Sequence, residues 1–144
     1  MSTEENKAIV SRFFEEVFNK KNLAFLDEYA TPDSVDHNLL PGMPAGLEGS
    51  RQFISMFLTA FPDLHAHLED IVAEGDKVVT RTTYHGTNTG SLMGMPATGK
   101  AVSSSSIDIT RLANGKSVEH WGLIDMLGLL QQMGVVPMPG QGGA

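Results

Sequence analysis

The stretch AVSSSSIDITRLANGKSVEHWGLID, residues 101–125, decides the fold. Residues 101–112 and 116–125 each alternate with a period of two, and Ala113-Asn114-Gly115 stands between them. Asn-Gly between alternating runs is the strongest short-range signal for a β-hairpin. The same period begins at Leu64: residues 64–73 and 77–85 read as strands joined by the glycine-containing turn Glu74-Gly75-Asp76. Residues 87–99 are punctuated by glycine and read as the end of a long bent strand plus a loop.

Upstream of Leu64 the period is helical. Ile9, Val10, Phe13, Phe14, Val17 and Phe18 form one apolar face, and Ser2 with Glu5 forms a capping box, predicting a helix over 3–20. A second, short helix runs from Asn22 as N-cap through Leu23, Leu26 and Tyr29 and stops at Thr31-Pro32. Residues 34–38 are short and extended, and 41–46 form a Pro/Gly-rich loop. A third helix carries Phe53, Ile54, Phe57, Leu58 and Phe61 and ends at Pro62. Asp125 caps a final short helix over 126–133, and the residues from 135 onward read as a surface arm. Helices first and antiparallel strands second give an α+β domain, a curved sheet wrapped around helices.

Composition sets the outer limits. At 144 residues, one domain spanning 1–144 is expected, burying about 70% of the surface of its unfolded chain. The net charge of -7 leaves no basic surface for a phosphate backbone or an anionic membrane, so neither nucleic acid nor membrane is an expected partner. Zero cysteines exclude disulfides, thiolate catalysis and Cys-ligated metals. The start MSTEENKAIV lacks the pattern of a signal peptide, and no apolar run approaches spanning length, so a cytoplasmic location is expected. No GxGxxG, P-loop, GxSxG or HExxH motif is present. Chemistry must therefore come from carboxylates, imidazoles and hydroxyls.

The last hairpin offers a candidate pair. A three-residue loop pairs Leu112 with Lys116, and then Asp108 lies opposite His120, Ser106 opposite Gly122 and, on the other face, Ile107 opposite Trp121. A two-residue Asn114-Gly115 loop instead places Asp108 and His120 on opposite faces. An Asp–His pair in a concave sheet is an acid/base unit, because the carboxylate orients the imidazole and makes it more basic. The competing reading is a polar pair on a solvent face. His37, in Asp36-His37-Asn38, precedes the Pro/Gly-rich loop and either rims a cavity or lies on the surface. His65 and His67 alternate along one strand; with no third ligand they read as outward polar positions, and no metal is expected. Arg81 is a charge in an otherwise apolar or β-branched strand, a buried ion-pair partner or an anion clamp. Trp121 and Met126 supply core or cavity lining, and eight methionines suit an adaptable apolar interior.

Taken together, Phe61-Pro62-Asp63-Leu64, Gly86-Thr87-Asn88-Thr89-Gly90, Gly94-Met95-Pro96-Ala97-Thr98-Gly99-Lys100, Glu119-His120-Trp121 and the ending Asp125-Met126-Leu127-Gly128-Leu129-Leu130-Gln131-Gln132-Met133-Gly134 resemble the SnoaL-like polyketide cyclase, or ester cyclase, family. The resemblance implies a nuclear-transport-factor-two-like cone: a curved antiparallel sheet and N-terminal helices around an apolar cavity, in a homodimer or homotetramer. It also implies aldol cyclisation of a polyketide methyl ester without metal or organic cofactor. In the family pattern an Asp two residues after the His is the acid/base group, and the neighbouring strand supplies a second His. Here those positions hold Gly122 and Asp108. An exchange of roles would let Asp108 supply the carboxylate and His120 the imidazole.

The leading expectation is therefore a cofactor-independent acid/base enzyme acting on an apolar, carbonyl-bearing small molecule. Asp108 is its base and His120 its donor; His37, Asn38 and Tyr84 are polar contacts, with Trp121, Gly122 and Met126 further lining. The alternatives are a non-catalytic small-molecule-binding protein of the same fold, a cofactor-independent hydroxylase, and an oligomeric scaffold joined through Ile107, Ile109 and Trp121.

Overall fold

A computed structural model describes residues 1–137; part of the expected terminal arm lies outside them. Helix α1, Thr3–Phe13, begins at the anticipated capping box: the Ser2 hydroxyl accepts from the Glu5 N–H, and the Glu5 carboxylate accepts from the Ser2 N–H. A cap of this kind stabilises a helix by about 1 kcal/mol. The expected helix over 3–20 is not α-helical throughout, because Phe14–Asn19 winds as a wider π-helical segment. That wide turn takes Phe14 and Phe18 to the interior and Asn19 to the sheet edge, where its amide pairs with both backbone groups of Ala66, at 2.7 and 3.1 Å. A 3-10 turn at Leu23–Phe25 leads into the short α2, Leu26–Tyr29, and Asn22 makes no side-chain cap. Helix α3 spans Leu47–Ala60, and α4, Met126–Met133, is capped by Asp125 through the Gly128 N–H.

Five strands form one sheet: β1 Ala30–Asp36, β2 His65–Glu74, β3 Lys77–Thr87, β4 Ala101–Ala113 and β5 Lys116–Ile124, in the order β1-β5-β4-β3-β2. The α+β class and the curved sheet packed on N-terminal helices are as the sequence suggests, with one correction. The sheet is not wholly antiparallel: the extended segment after α2 starts at Ala30, runs through Thr31-Pro32, and pairs with β5 in parallel. Pro32 fits there because β1 is an edge strand.

The decisive hairpin combines both turn readings in an unforeseen way. Its loop has two residues, since Ala113 pairs with Lys116, and Asn114 and Gly115 both take positive φ, 51° and 78°. Those angles belong to a type I′ turn. Such a turn alone would separate Asp108 from His120, but a bulge intervenes. Leu112 faces Ser117 while Arg111 faces Glu119, so Val118 is an extra residue in β5. The inserted residue restores parity. Asp108 then lies opposite Gly122, Thr110 opposite His120 and Ser106 opposite Ile124, while Ile107 meets Leu123 and Trp121 meets Ile109. The three-residue pairing is thus overturned, yet Asp108 and His120 share the inner face as diagonal neighbours. Gly115→Ala should destabilise the protein by about 1–2 kcal/mol, because its left-handed backbone penalises a Cβ. Urea unfolding measures this.

The core lies between the inner sheet face and the helices, built by residues such as Val10, Val17, Leu26, Val78, Phe61 and Met133. Among the described residues, no helix is long and apolar enough to cross a membrane.

Candidate active site

A cavity of about 150 Å³ opens within this core. Its walls are mainly apolar, with Phe14, Phe18, Phe53, Phe57, Phe61 and Leu129 among them. A polar cluster gathers at one end, where Asp36 and Asn38, at and just past the end of β1, meet Tyr84, Ser106, Asp108 and His120 from β3, β4 and β5; Tyr29, Ser34, Ser50, Ser104, Thr110 and Ser117 line the cavity as well.

His120 is held between two carboxylates. Its Nε2 is 2.8 Å from Asp108 Oδ1 and its Nδ1 is 3.0 Å from Asp36 Oδ1. Each acid is itself fixed. Ser106 Oγ donates to Asp108 Oδ2 at 2.7 Å; the Asn38 N–H donates to Asp36 Oδ1 at 2.9 Å, and Ser50 Oγ to Asp36 Oδ2 at 3.1 Å. Burial alone would make His120 less basic, but the hydrogen bonds and charges of Asp108 and Asp36 outweigh it and push its pKa up to about 9. Burial raises Asp36 in turn, but the bond and charge of His120, then the Asn38 N–H and Ser50, hold it below the ordinary carboxylate value. His120 is therefore an imidazolium at neutral pH, with both N–H groups committed to carboxylates.

The direction of each shift sets the pH dependence. The raised His120 value contributes stability in full below its ordinary pKa of 6.5, a contribution lost as pH rises through about 9. The lowered Asp36 value contributes above 3.8, and this contribution is lost as pH falls through its depressed value. A ¹⁵N NMR titration should find both His120 ring nitrogens protonated at pH 7 and deprotonation near pH 9; in Asp36→Asn that midpoint should move down.

Gly122 is what makes the Asp108–His120 contact possible. A Cβ at position 122 would lie 2.3 Å from Asp108 Oδ1 and 3.1 Å from His120 Cε1. The Asp108 carboxylate thus reaches across the strand pair into space that any side chain at 122 would need. Asn38 fixes this strand: its Oδ1 accepts from the Gly122 N–H at 2.6 Å, and its Nδ2 donates to the Gly122 carbonyl. Its amide is spent on the backbone, which makes Asn38 a positioning group.

The structure brings together Asp108, His120, Asn38, Tyr84 and Gly122 on the cavity lining, but not His37, Trp121 or Met126. His37 and Trp121 point away because strand parity opposes them to Asp36, His120 and Gly122. There they stack at 5.0 Å, with His37 Nε2 2.8 Å from Glu119 and Lys77 Nζ 5.9 Å above the Trp121 ring. Met126 packs half-buried against the core at the start of α4, whose Leu129 reaches the cavity instead. Arg81 is exposed and pairs with Asp70 at 2.7 Å, so it is neither buried nor a clamp. His65 and His67 are exposed on β2, and among the described residues no cluster of three or more His, Cys, Asp or Glu is arranged to hold a metal ion. Asp36, not singled out from the sequence, also joins the polar cluster of the cavity. Alternation in the extended segment 34–38 carried the signal, since it sets residues 36 and 38 on the face opposite 37.

Comparison with known proteins agrees with this arrangement of elements. The model of the SnoaL-like polyketide cyclase family matches residues 8–133. The chain is 35% identical over 111 residues to aklanonic acid methyl ester cyclase DauD of Streptomyces sp. (strain C5), covering 76% of this chain and 66% of that one, just under two thirds of its length. It is 30% identical over 120 residues to the nogalonic acid methyl ester cyclase of Streptomyces nogalater, covering 81% and 89%. The structure of TsrD from Streptomyces laurentii superposes with a TM-score of 0.85 at 32% identity, covering 94% of this chain and 99% of that one. The chain belongs to the SnoaL-like polyketide cyclase family.

Proposed function

We propose that the protein is a cofactor-independent acid/base enzyme that closes a ring by intramolecular aldol addition within an apolar, carbonyl-bearing ester, with Asp108 as the base. The observation that carries this reading is the Asp36–His120–Asp108 assembly at the polar end of an otherwise apolar cavity. Each oxygen of Asp108 accepts one hydrogen bond and keeps a further lone pair for a substrate proton. Asp108 takes the proton α to a carbonyl, the resulting enolate carbon attacks the second carbonyl, and the new alkoxide receives the proton back. Product and substrate are isomers, so no oxidant or cofactor enters the balance. His120 does not face the substrate as a free donor: it holds Asp108 in place, and Asp36 fixes the ring from the other side.

The test is incubation of the purified protein with aklanonic acid methyl ester and with nogalonic acid methyl ester. Conversion to a product of unchanged mass that carries a new carbon–carbon bond supports the reading. Tight binding of either ester with no conversion favours the second reading, a ligand-binding relative, which Gly122 in place of the family's acid also suits.

We also propose that copies of the chain associate through the outer sheet face, where Ile107 is 56% and Leu123 82% exposed beside Ile109 and Trp121. An apolar patch of this kind is unusual on a monomer. Sedimentation equilibrium checks it: Leu123→Glu should shift the protein towards monomer.

A further inference from the structure

Enolate formation needs a hydrogen-bond donor as well as a base, because negative charge builds on the carbonyl oxygen. His120 cannot supply it, since both of its ring nitrogens already face carboxylates. The other polar groups of the cavity end are occupied too. The Ser106 hydroxyl hydrogen goes to Asp108, Ser50 donates to Asp36, and the Asn38 amide is held by the Gly122 backbone. Ser34 and Ser117 line the cavity from β1 and from beside the bulge, away from the Asp108–Gly122 pair; Ser104 donates to the Asp125 carbonyl at 3.3 Å, and the Tyr29 hydroxyl is engaged by Thr110 and Ser117. Thr80 and Thr82, opposite Asp108 and Ser106 in register, are buried beneath the lining.

One group is differently placed. The Tyr84 hydroxyl lies 3.4 Å from Ser106 Oγ. Because the single Ser106 hydrogen is committed to Asp108, Tyr84 is the donor in that long contact. Its hydrogen is thus held by a weak bond to a neutral acceptor, one serine away from the base, on a ring that lines the cavity. We propose that Tyr84 is a further catalytic residue, the donor that swings from Ser106 to the substrate carbonyl and stabilises the oxyanion as Asp108 removes the α-proton. This assignment rests on Asp108 being the base. The phenol stays neutral under working conditions: burial, then the nearby Asp108 charge, pushes it well above its ordinary range, outweighing its contact with Ser106. Tyr84 donates a hydrogen bond and keeps its proton, so the proton taken by Asp108 still returns to the alkoxide. Its ring is seated edge-on against Phe18 at 5.4 Å, which holds the phenol oxygen in place while the O–H turns about its bond.

Tyr84→Phe isolates the hydroxyl. It retains the ring packing and leaves Ser106 bonded to Asp108, so thermal stability should hardly change. With a methyl ester that the wild type cyclises, kcat should fall about 10²–10³-fold, the usual effect of removing one oxyanion donor, while KM moves less than threefold. A second arm needs no turnover. The probe is 2-acetylnaphthalene labelled with ¹³C at the carbonyl, a ketone that can only accept a hydrogen bond. Bound to the wild type, its carbonyl resonance should move downfield of its position in cyclohexane. That displacement should vanish in Tyr84→Phe and persist in Asp108→Asn. An unchanged displacement and kcat in Tyr84→Phe overturn the role of Tyr84 alone. Undiminished turnover in Asp108→Asn overturns the base assignment, and failure of the ketone to bind at millimolar concentration also counts against a carbonyl-accepting donor.

Discussion

Asp108→Asn should abolish cyclisation, lowering kcat by about 10²–10⁴-fold, the range over which a positioned general base contributes. Asparagine has the same shape: its amide oxygen can accept from the His120 N–H, and its NH₂ can donate to Ser106 Oγ in place of the bond Oδ2 accepted, so the cavity and the fold should persist. What it lacks is a lone pair basic enough to take a carbon-bound proton. The effect should therefore appear in kcat, with the affinity for the ester largely retained. A second consequence follows from charge. With one carboxylate gone, His120 loses one of the two groups that hold its pKa up, and its titration midpoint should move down towards the ordinary value. The variant's steady-state kinetics and its ¹⁵N titration check these two outcomes separately.

Gly122→Ala should be nearly as damaging, although it adds only one methyl group and removes no functional side chain. The added Cβ would stand 2.3 Å from Asp108 Oδ1 and 3.2 Å from His120 Nε2, well inside contact distance. The atom in the way is the end of an aspartate side chain, so relief comes by rotating Asp108 off His120. The fold should survive with a small loss of thermal stability, whereas kcat should drop about 10²-fold or more with the base displaced. The same geometry predicts non-additivity. Gly122→Asp alone should inactivate, because it pushes Asp108 aside and sets two acids together. The double variant Asp108→His/Gly122→Asp would create the family's arrangement and should recover activity above either single variant. Kinetics on the four proteins of this cycle decide it; independent, additive losses would mean that positions 108 and 122 do not share a function.

Much of the fold could be read in the sequence because its signals are local. Ser2 with Glu5, Asp125 before α4, and Asn114-Gly115 each act through neighbours a few residues away. The register of the last hairpin was harder to read, because the bulge at Val118 uses neither glycine nor any other marked residue. It is imposed by the inner face: Ser117 and His120 both line the cavity although they stand three residues apart, and only an extra residue between them reconciles that with strand alternation. The parallel pairing of β1 with β5 joins segments more than 80 residues apart, beyond any short-range pattern. Asp36 depends on the same long-range pairing, and strand parity turns positions 36 and 38, not His37, toward the cavity. The exchange of an acid from 122 to 108 was visible from the resemblance. That the two positions lie directly opposite, so that the Asp108 carboxylate occupies space a side chain at 122 would need, is a property of the folded sheet.

In the proposed reaction Asp108, reaching across Gly122 and held by His120, removes a proton from carbon. Proton exchange tests this step without requiring the ring to close. In D₂O, the wild type should catalyse deuterium uptake at the α-carbon of aklanonic acid methyl ester, followed by ¹H NMR, at a rate well above the buffer reaction, and Asp108→Asn should reduce uptake to the buffer rate. Equal exchange by the wild type and by Asp108→Asn would show that Asp108 is not the base.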